Sequence, residues 1–300
     1  MSKLIVTGGA GFIGSHLADK LVELGHEVIV VDNLMLGRKD FINKKAKFYK
    51  ADIRDLKKMK KIFKGAEAVF HFAADPRLQV SMEDPVTTHE INVTGTLNVL
   101  LSAKESGVKK VVFSSSCALY GDQPLPIKEN YLPRPVSPYG LHKLMGEEYC
   151  RLFNILFGLK TVCLRYFNVF GPRKLPTGSY PMVIPIFLNQ RKKGEKLTVV
   201  GDGQATRDYV HVSDVVAANI AAWESKVIDG RAINIGSGRQ VSVNEIAKLI
   251  GGPTVNLPPR SGEMRFIQAD NILAQELLGW TPTVTLEEGI KELKKEWGIA

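Results

Sequence analysis

Short apolar runs alternate with longer stretches of helical spacing through the first half of the chain. Apolar side chains recur every three or four positions over residues 12–24, which predicts an amphipathic helix that Gly25 ends. Similar spacing predicts helices over residues 85–106 and 137–157, and a last helix over residues 286–297. The short runs between these stretches predict strands at residues 4–7, 27–31, 47–50, 68–72, 110–114 and 161–166.

Most of these strands are apolar along nearly their whole length, rather than at every second position. Strands of this kind are buried on both faces, as in a parallel sheet that helices cover on both sides. The alternation therefore predicts an α/β fold with a Rossmann-like, doubly wound parallel sheet. From Asn168 onward the chain becomes rich in Gly and Pro and its elements shorten, which indicates a second, smaller region.

The composition is that of a folded protein with a sizeable core, since 44% of the 300 residues are hydrophobic and 24% are charged. The 40 basic and 31 acidic residues leave a net charge of +9. The basic residues are spread along the chain, and the lysines of residues 57–64 have the spacing of a solvated helix face. No nucleic-acid partner is therefore expected, and the basic surface favours a small anionic ligand.

The cysteines and the N-terminal residues bear on the compartment. Cys117, Cys150 and Cys163 have neither paired metal-ligand spacing nor the even number of a disulfide framework, so we expect no metal site and a reducing cytoplasm. The first residues lack the pattern of a signal peptide, and no apolar run reaches the length of a bilayer span. No membrane partner is expected.

A glycine-rich segment joins the first predicted strand to the first predicted helix. Its glycines, Gly8, Gly11 and Gly14, have the spacing that lets a chain turn sharply, approach a pyrophosphate and pack a helix closely on a strand. The helix N-terminus then presents free N–H groups and the positive end of its dipole. A dinucleotide-binding loop is therefore predicted.

An acidic residue selects between the two nicotinamide dinucleotides. Asp32, at the end of the second predicted strand, can accept hydrogen bonds from an adenosine ribose and would repel a 2′-phosphate. This pattern predicts NAD as the cofactor. Arg38 and Lys39 lie close behind and leave NADP open, because a cation there could hold the 2′-phosphate.

A tyrosine and a lysine provide candidate acid–base chemistry. Tyr139 and Lys143 are four residues apart in a predicted helix, which puts both side chains on one face. A nearby ammonium lowers the pKa of a phenol, so the tyrosine can take a hydroxyl proton while hydride leaves the carbon. Residues 114–116 are serines at the end of a predicted strand, where ligands of open parallel sheets bind. Each feature alone is common, and their combination with the glycine loop predicts a dehydrogenase-type site.

The histidines are not expected to be catalytic. His71 ends a predicted strand near the cofactor and is expected to pack and to form hydrogen bonds. His89 and His142 are expected to lie at the surface.

The chain resembles the extended short-chain dehydrogenase/reductase family over essentially its whole length. The resemblance rests on residues 7–14, 70–74, 114–116 with Tyr120-Gly121, Tyr139 with Lys143, 165–172 and 201–212. It implies NAD as cofactor and 4-epimerisation of a UDP-sugar, either UDP-glucose and UDP-galactose or their N-acetylated counterparts. It also implies an NAD-binding Rossmann domain at 1–166 and a smaller substrate-binding region at 167–300, with segments around 208–237 returning to the first domain.

The family implies a role for each residue that matches its motifs. The pyrophosphate would be held by Gly8, Gly11, Phe12, Ile13 and Gly14, the adenosine by Asp32, Asn33, Asp52 and Ile53. The nicotinamide side would be lined by Phe72, Ala73, Ala74, Tyr139, Lys143 and Tyr166, and Ser114 would also contact the cofactor. The catalytic set would be Ser116, Tyr139 and Lys143. The nucleotide diphosphate would be bound by Asn168, Arg207, Arg260 and Glu263, and the sugar by Arg77, Ser116 and Ile267.

One departure distinguishes members of the family. Dehydratases and decarboxylases carry an acid just after the strand-end hydroxyl, where this chain has Cys117, Ala118 and Leu119. That difference disfavours both activities, and net consumption of cofactor would reveal a reductase. Arg77 leaves a uronate substrate open, and a thymine base is also open. A non-catalytic NAD-binding sensor is disfavoured because it needs no catalytic set.

The resemblance also implies a homodimer. In the family the two long helices, here residues 85–106 and 137–157, form the bundle between subunits. Helices that pack only within one monomer would have the same periodicity, so this expectation is a hypothesis.

Overall fold

The computed structural model describes residues 1–176, 182–226, 229–259 and 265–299. Its strands are β1 (Lys3–Thr7), β2 (Glu27–Asp32), β3 (Lys47–Lys50), β4 (Ala68–His71), β5 (Lys110–Ser116), β6 (Lys160–Tyr166), β7 (Asn168–Phe170), β8 (Leu197–Val200), β9 (Thr206–Arg207), β10 (Tyr209–His211), β11 (Ala232–Ile235), β12 (Val241–Ser242) and β13 (Thr254–Leu257). Its α-helices are α1 (Phe12–Glu23), α2 (Leu56–Phe63), α3 (Leu78–Glu83), α4 (Pro85–His89), α5 (Gly95–Glu105), α6 (Pro138–Phe157), α7 (Val183–Lys192), α8 (Val212–Glu224), α9 (Val243–Ile250), α10 (Ile272–Leu278) and α11 (Leu286–Trp297).

A seven-stranded sheet in the order β11-β6-β5-β4-β1-β2-β3 forms the centre of the molecule. All of its strand pairs are parallel, and β1 lies between β2 and β4, with Val6 opposite Val30 on one side and Phe70 on the other. The carboxyl ends of the strands therefore meet at one edge, where ligands of such sheets bind. The predicted α/β, doubly wound parallel fold is confirmed.

Helices cover both faces of this sheet, which explains why its strands are apolar throughout. Leu4 and Val6 of β1 face a layer that contains α1, α8 and α10, whereas Ile5 faces α2, α5 and α6. All three side chains are fully buried. The larger residues of the two helical layers are Leu17, Leu21, Val215 and Trp280 on the first face and Met59, Phe63, Leu100 and Phe153 on the second.

The helix that carries Tyr139 and Lys143 has well-defined ends. The Ser137 hydroxyl caps α6 by accepting a hydrogen bond from the Gly140 N–H at 3.2 Å, and Pro138 occupies the first turn. Gly158 ends the helix in the left-handed conformation, with a φ of +67°. Both ends are fixed by local sequence, as the helix predicted at 137–157 required.

The helix predicted at 85–106 is continuous but not regular. A π-helical turn, Glu90–Thr94, separates α4 from α5. Such a turn adds a residue to the helix and is often found at functional sites. Here Asn92 lies in the turn and exchanges hydrogen bonds with the backbone of Asp75 at 2.7 and 3.0 Å.

The remaining strands form three short pairs, β7 with β10, β9 with β12 and β8 with β13. A separate core joins them to α7, α9 and α11, with Phe187, Leu197, Ile246 and Ile290 fully or almost fully buried. The chain does return to the large sheet, because β11 is its edge strand and α8 packs against α1. The division at residue 166 stays a prediction. Across the described ranges, no helix has the length and apolarity of a membrane span.

Candidate active site

The glycine segment closes tightly between β1 and α1. Gly8 has a φ of +69°, and a Cβ there would lie 2.6 Å from the backbone nitrogen of Ala73. A Cβ at Gly14 would collide with the Gly8 carbonyl oxygen, and one at Gly11 would lie 3.1 Å from it. Gly11 is the N-cap of α1 and has no side chain to cap the first N–H groups, so these remain available to an anion. The first helical residues, both half-buried, are Phe12 and Ile13.

The carboxylate of Asp32 lies at the end of β2, next to this segment. It is 8% exposed, and it accepts hydrogen bonds from the N–H groups of Ala10 at 3.0 Å and Leu34 at 2.8 Å. Burial raises the pKa of Asp32, and the two backbone hydrogen bonds oppose that rise. Arg38 is ion-paired with Asp40 at 2.5 Å between Nη2 and Oδ2. One of the two cations that left NADP open, Arg38, is therefore paired with a neighbouring carboxylate, whereas Lys39 is not part of this pair.

The predicted adenosine contacts lie beside Asp32. Asn33 donates a hydrogen bond to Asp52 at 3.0 Å, and Arg54 binds the same carboxylate through Nε and Nη2. The Arg54 guanidinium lowers the pKa of Asp52 to about 2. Ile53 is buried, and its Cδ1 would lie 2.5 Å from a Cβ at Gly95. The side chain of Ile53 thus packs on α5, and Arg54 is a neighbour that the sequence did not single out.

The predicted catalytic residues meet at the end of β5. Lys143 is almost fully buried and donates a hydrogen bond to the Ser114 carbonyl oxygen at 2.7 Å. Its Nζ lies 5.8 Å from the ring centroid of Tyr139. The Ser116 hydroxyl accepts a hydrogen bond from the Ala118 N–H at 3.2 Å and begins a short 3-10 turn. Burial lowers the pKa of Lys143 to about 8. This places a partly destabilised ammonium near a phenol, on a helix that packs against the strand end and the turn of Ser116.

The predicted nicotinamide side follows the end of β4. The rings of Phe72 and Tyr166 stack with their centroids 6.4 Å apart, and Ala73 and Ala74 are half-buried behind them. The Tyr166 hydroxyl donates a hydrogen bond to Asn219 at 3.0 Å. Burial raises the pKa of Tyr166, so this phenol stays neutral and does not act as a second base.

The predicted diphosphate contacts Asn168 and Arg207 lie on β7 and β9, beside the pair that β7 forms with β10. The Asn168 side chain donates to the Asp208 carbonyl oxygen at 3.1 Å, and Arg207 donates to the Thr206 carbonyl oxygen at 2.8 Å. Cys117 lies close to this pair, since burial and the Asp208 carboxylate raise the pKa of its thiol to about 12 while Arg207 opposes them. The turn after Ser116 therefore borders the Arg207 segment, as one substrate cleft requires.

The side chain of Ile267 lies in a small apolar cluster under this cleft. It is 4% exposed, and its partners in the cluster are Leu119, Tyr120, Ile127, Phe167 and Ala269. Asp208 holds the same segment, because its buried carboxylate accepts a hydrogen bond from the Ala269 N–H at 2.9 Å. A residue predicted to line the sugar pocket is thus joined to the turn that follows Ser116.

The remaining predicted sugar and diphosphate contacts differ in outcome. Arg77 is paired with the buried carboxylate of Asp75 through two hydrogen bonds of 2.9 and 2.7 Å. Its positive charge is therefore largely taken by a neighbour, which the sequence did not indicate. Arg260 and Glu263 lie outside the described residues.

One histidine prediction is wrong. His142 is 4% exposed and not at the surface, because α6 packs against the π-helical turn. The centroids of the His142 and His89 rings lie 5.4 Å apart. Burial lowers the pKa of His142 to about 4. His71 bridges the hydroxyls of Thr7 at 2.7 Å and Thr96 at 3.0 Å, and burial lowers its pKa to about 3. His71 is thus a neutral structural residue.

The sequence reasoning also missed a buried network behind the catalytic residues. Glu147 of α6 accepts hydrogen bonds from Arg165 and from the Ser115 hydroxyl, and Arg165 donates to the Tyr120 hydroxyl at 2.7 Å. Tyr120 in turn donates to Asn234 at 2.6 Å. The available signal was the spacing of Glu147, one helical turn beyond Lys143 on the same face.

The family model of the NAD dependent epimerase/dehydratase family matches residues 4–236. The chain belongs to this family. It is 44% identical to a putative UDP-glucose 4-epimerase of Methanocaldococcus jannaschii, over 97% of this chain and 96% of that protein. The predicted family and the predicted NAD cofactor are confirmed.

Solved structures agree with this assignment. The UDP-glucose 4-epimerase of Thermotoga maritima, solved with UDP-glucose, is 41% identical and superposes with a TM-score of 0.92 over 98% of this chain and 99% of that chain. A UDP-N-acetylglucosamine 4-epimerase of Methanobrevibacter ruminantium, in complex with UDP-N-acetylmuramic acid, is 33% identical, with a TM-score of 0.92 over 98% and 99%. The expectation of an epimerase-type isomerase is confirmed at the level of the family.

Proposed function

We propose that this protein is an NAD-dependent 4-epimerase that interconverts UDP-glucose and UDP-galactose. The observation that carries the proposal is that α6, with Tyr139 and Lys143, packs on the carboxyl end of β5, where Ser116 begins a turn, Cys117–Leu119, that holds no carboxylate. Elimination needs an additional acid–base group at that place, whereas removal and return of hydride do not.

The residues at the sheet edge suit NAD. The close packing of Gly8 and Gly14 brings backbone N–H groups of α1 toward a diphosphate, and Asp32 provides a buried acceptor for ribose hydroxyls. Bound NAD supplies the hydride acceptor and donor for C4 of the sugar. The protein supplies orientation, proton transfer and exclusion of water.

Tyr139 is the proposed acid–base group. Its phenolate takes the proton of the C4 hydroxyl during oxidation and gives it back during reduction. The nearby Lys143 ammonium stabilises the phenolate, and its hydrogen bond to the Ser114 carbonyl oxygen fixes where that charge lies. The Ser116 hydroxyl hydrogen-bonds the reacting oxygen, because it stands at the same strand end.

The nucleotide anchors the substrate while the sugar turns. Asn168 and Arg207 would hold the diphosphate from the β7–β9 side, and the sequence adds Arg260 and Glu263 to this set. Arg suits that role because its planar fork binds phosphate oxygens bidentately. The 4-keto sugar then stays bound by its diphosphate, rotates and presents the opposite face of C4.

Two observations bear on the choice of sugar. Ile267 is of intermediate size and packs under the cleft, so the N-acetylated pair, UDP-N-acetylglucosamine and UDP-N-acetylgalactosamine, is the second candidate. A uronate is less favoured, because the Arg77 guanidinium that could bind its carboxylate is paired with Asp75.

We also propose a homodimer. An apolar stripe on α6, formed by Leu141, Met145, Tyr149, Leu152 and Leu156, has helical spacing and remains partly or largely exposed. Leu97 and Leu101 of α5 extend it. A contiguous apolar surface on two adjacent helices is typical of a subunit interface.

Incubation of purified protein with UDP-galactose, and separately with UDP-N-acetylgalactosamine, tests the proposal. No NAD is added, and the 4-epimer of each sugar is followed by NMR. Conversion is expected because the cofactor is regenerated in each cycle and stays bound. The ratio of the two rates identifies the preferred sugar. Failure of both reactions even with added NAD would exclude both substrate pairs, and net formation of NADH would indicate an oxidoreductase instead.

A further inference from the structure

A charged side chain lies buried in α6, one helical turn beyond Lys143. Glu147 is 6% exposed, although carboxylates are rarely buried without partners. Its charged partner is Arg165 of β6, which donates from Nε at 2.9 Å and from Nη2 at 2.7 Å. The Ser115 hydroxyl of β5 donates to the same carboxylate. Glu147 thus ties the catalytic helix to the carboxyl ends of two central strands.

This carboxylate also lies one helical turn from the catalytic lysine, on the same face of α6, and both side chains are buried. Lys143 and Arg165 are two buried cations, and a buried cation without a counter-charge is costly. Burial is the main cause that lowers the pKa of Lys143, and Glu147 is the principal group that opposes the fall. The other titratable groups around the ammonium are the thiols of Cys150 and Cys163, His71 of β4, and Tyr139 and His142 on α6 itself.

The partner of Glu147 is itself fixed on its far side. Arg165 donates from Nη1 to the Tyr120 hydroxyl at 2.7 Å and to the Glu129 carbonyl oxygen at 3.2 Å. Tyr120 lies four residues beyond Ser116, at the end of the turn that Ser116 begins. The network therefore joins the helix that carries Lys143 to the end of the turn that Ser116 begins, through side chains that are themselves buried.

We propose that Glu147 is a positioning residue for Lys143: its carboxylate is the counter-charge of the buried ammonium and, through Arg165 and Ser115, fixes α6 on the ends of β5 and β6. The inference rests on the proposed function, in which a protonated Lys143 stabilises the Tyr139 phenolate. A purely structural ion pair would stabilise the fold but would leave the titration of Lys143 unchanged.

The titration of Lys143 can be measured without turnover. In protein labelled with 13C-lysine, the Cε resonance of Lys143 is assigned by its loss in Lys143→Arg and followed against pH. The wild-type midpoint is expected near 8. Glu147→Gln is expected to lower it by about one pH unit, the size of effect that a neighbouring opposite charge has. The matched control is Glu148→Gln, which removes an exposed carboxylate paired with Arg151 at 2.9 Å on the same helix and should leave the midpoint in place.

A double variant separates charge balance from folding. Glu147→Gln with Arg165→Gln removes both charges, so its Lys143 midpoint should lie between those of Glu147→Gln and the wild type. A Lys143 midpoint at or above the wild-type value in Glu147→Gln would overturn the inference. If Glu147→Gln does not fold, the double variant is used instead, and a midpoint at or above the wild-type value there would overturn the inference.

Activity gives a second readout. The fall in kcat for UDP-galactose at high pH should move to lower pH in Glu147→Gln by the same amount as the Lys143 midpoint. A wild-type protein that converts neither sugar would count against the proposed function, while the NMR titration would still decide the role of Glu147.

Discussion

The effect of the Lys143 ammonium on the phenol of Tyr139 depends on whether that ammonium is buried or exposed to water. Exposed on a helix, the lysine would share its charge with water and affect the phenol little. Here burial lowers the pKa of Lys143 to about 8, and its Nζ is fixed on the Ser114 carbonyl oxygen. A desolvated and immobile charge acts more strongly on a neighbouring phenolate.

Replacement of the phenol tests its role. Tyr139→Phe should lower kcat about 10²–10⁴-fold, because general acid–base catalysis contributes about that much. NAD content and thermal stability should change little, since only a hydroxyl is removed. Tyr149→Phe removes a hydroxyl from the same helix about three turns further on and serves as the matched control. A Tyr139→Phe variant with wild-type kcat would show that another group moves the proton.

At the scale of residues, the sequence could predict those site residues whose spacing within a single helix or strand forms a recognisable pattern. Tyr139 and Lys143 share a helix face, and Asp32 ends a strand next to the glycine loop. Arg165 became a partner of Glu147 only through the pairing of β5 with β6 and the packing of α6 on both. His142 was misassigned because its burial depends on the neighbouring helix. Contacts between elements have no local pattern to reveal them.

At the scale of elements, the loop between β1 and α1 works through close backbone contact. Gly8 and Gly25 both have left-handed φ angles, +69° and +83°. A Cβ at Gly8 would lie 2.6 Å from the Ala73 nitrogen, whereas one at Gly25 would have nothing within 4 Å. The two glycines therefore have the same backbone requirement but different surroundings.

That difference yields a paired experiment. Ala at either position should cost about 1–2 kcal/mol, since non-glycine residues resist this conformation. Only Gly8→Ala should also displace the β4 end and lose bound NAD, measured as the nucleotide released from denatured protein. Equal NAD contents in Gly8→Ala and Gly25→Ala would contradict the role given to the loop.

The apolar stripe of α6 is only partly covered within the monomer. Leu152 lies in the middle of it and is 38% exposed. Leu152→Glu should convert the proposed dimer to a monomer in light scattering, because a charge cannot be buried in an apolar interface. Ile272→Glu, at a 60% exposed position on α10, is the matched control and should leave the oligomeric state unchanged. A wild-type protein that is monomeric would overturn the homodimer.

Element boundaries were predicted well where local sequence fixes them. The final helix begins at a capping box of Thr285 and Glu288 and ends before Gly298, so its predicted limits agree with α11. The π-helical turn at Glu90–Thr94 was not predicted, because an added residue does not disturb apolar spacing enough to be recognised. That turn directs Asn92 toward Asp75, which in turn holds Arg77.

At the scale of the whole molecule, the parallel sheet brings distant segments to one edge. The ends of β1, β2, β4, β5 and β6 carry the glycine loop, Asp32, Phe72, the serines and Tyr166. The smaller region brings the Arg207 segment beside Asn168, just beyond the end of β6. One side can thus bind the cofactor while the other holds the nucleotide of the substrate. The order of these motifs along the sequence predicted the cofactor side of this arrangement, and the family resemblance predicted the substrate side.

The central claim is that hydride leaves C4 and returns to the same carbon within one active site. The most direct measurement uses UDP-galactose deuterated at C4, converted in ordinary water with no added NAD. The account predicts UDP-glucose that keeps the deuterium at C4, seen by NMR and mass spectrometry. Loss of the deuterium to solvent during conversion would contradict it, because the C4 hydrogen would then leave as a proton and not as a hydride.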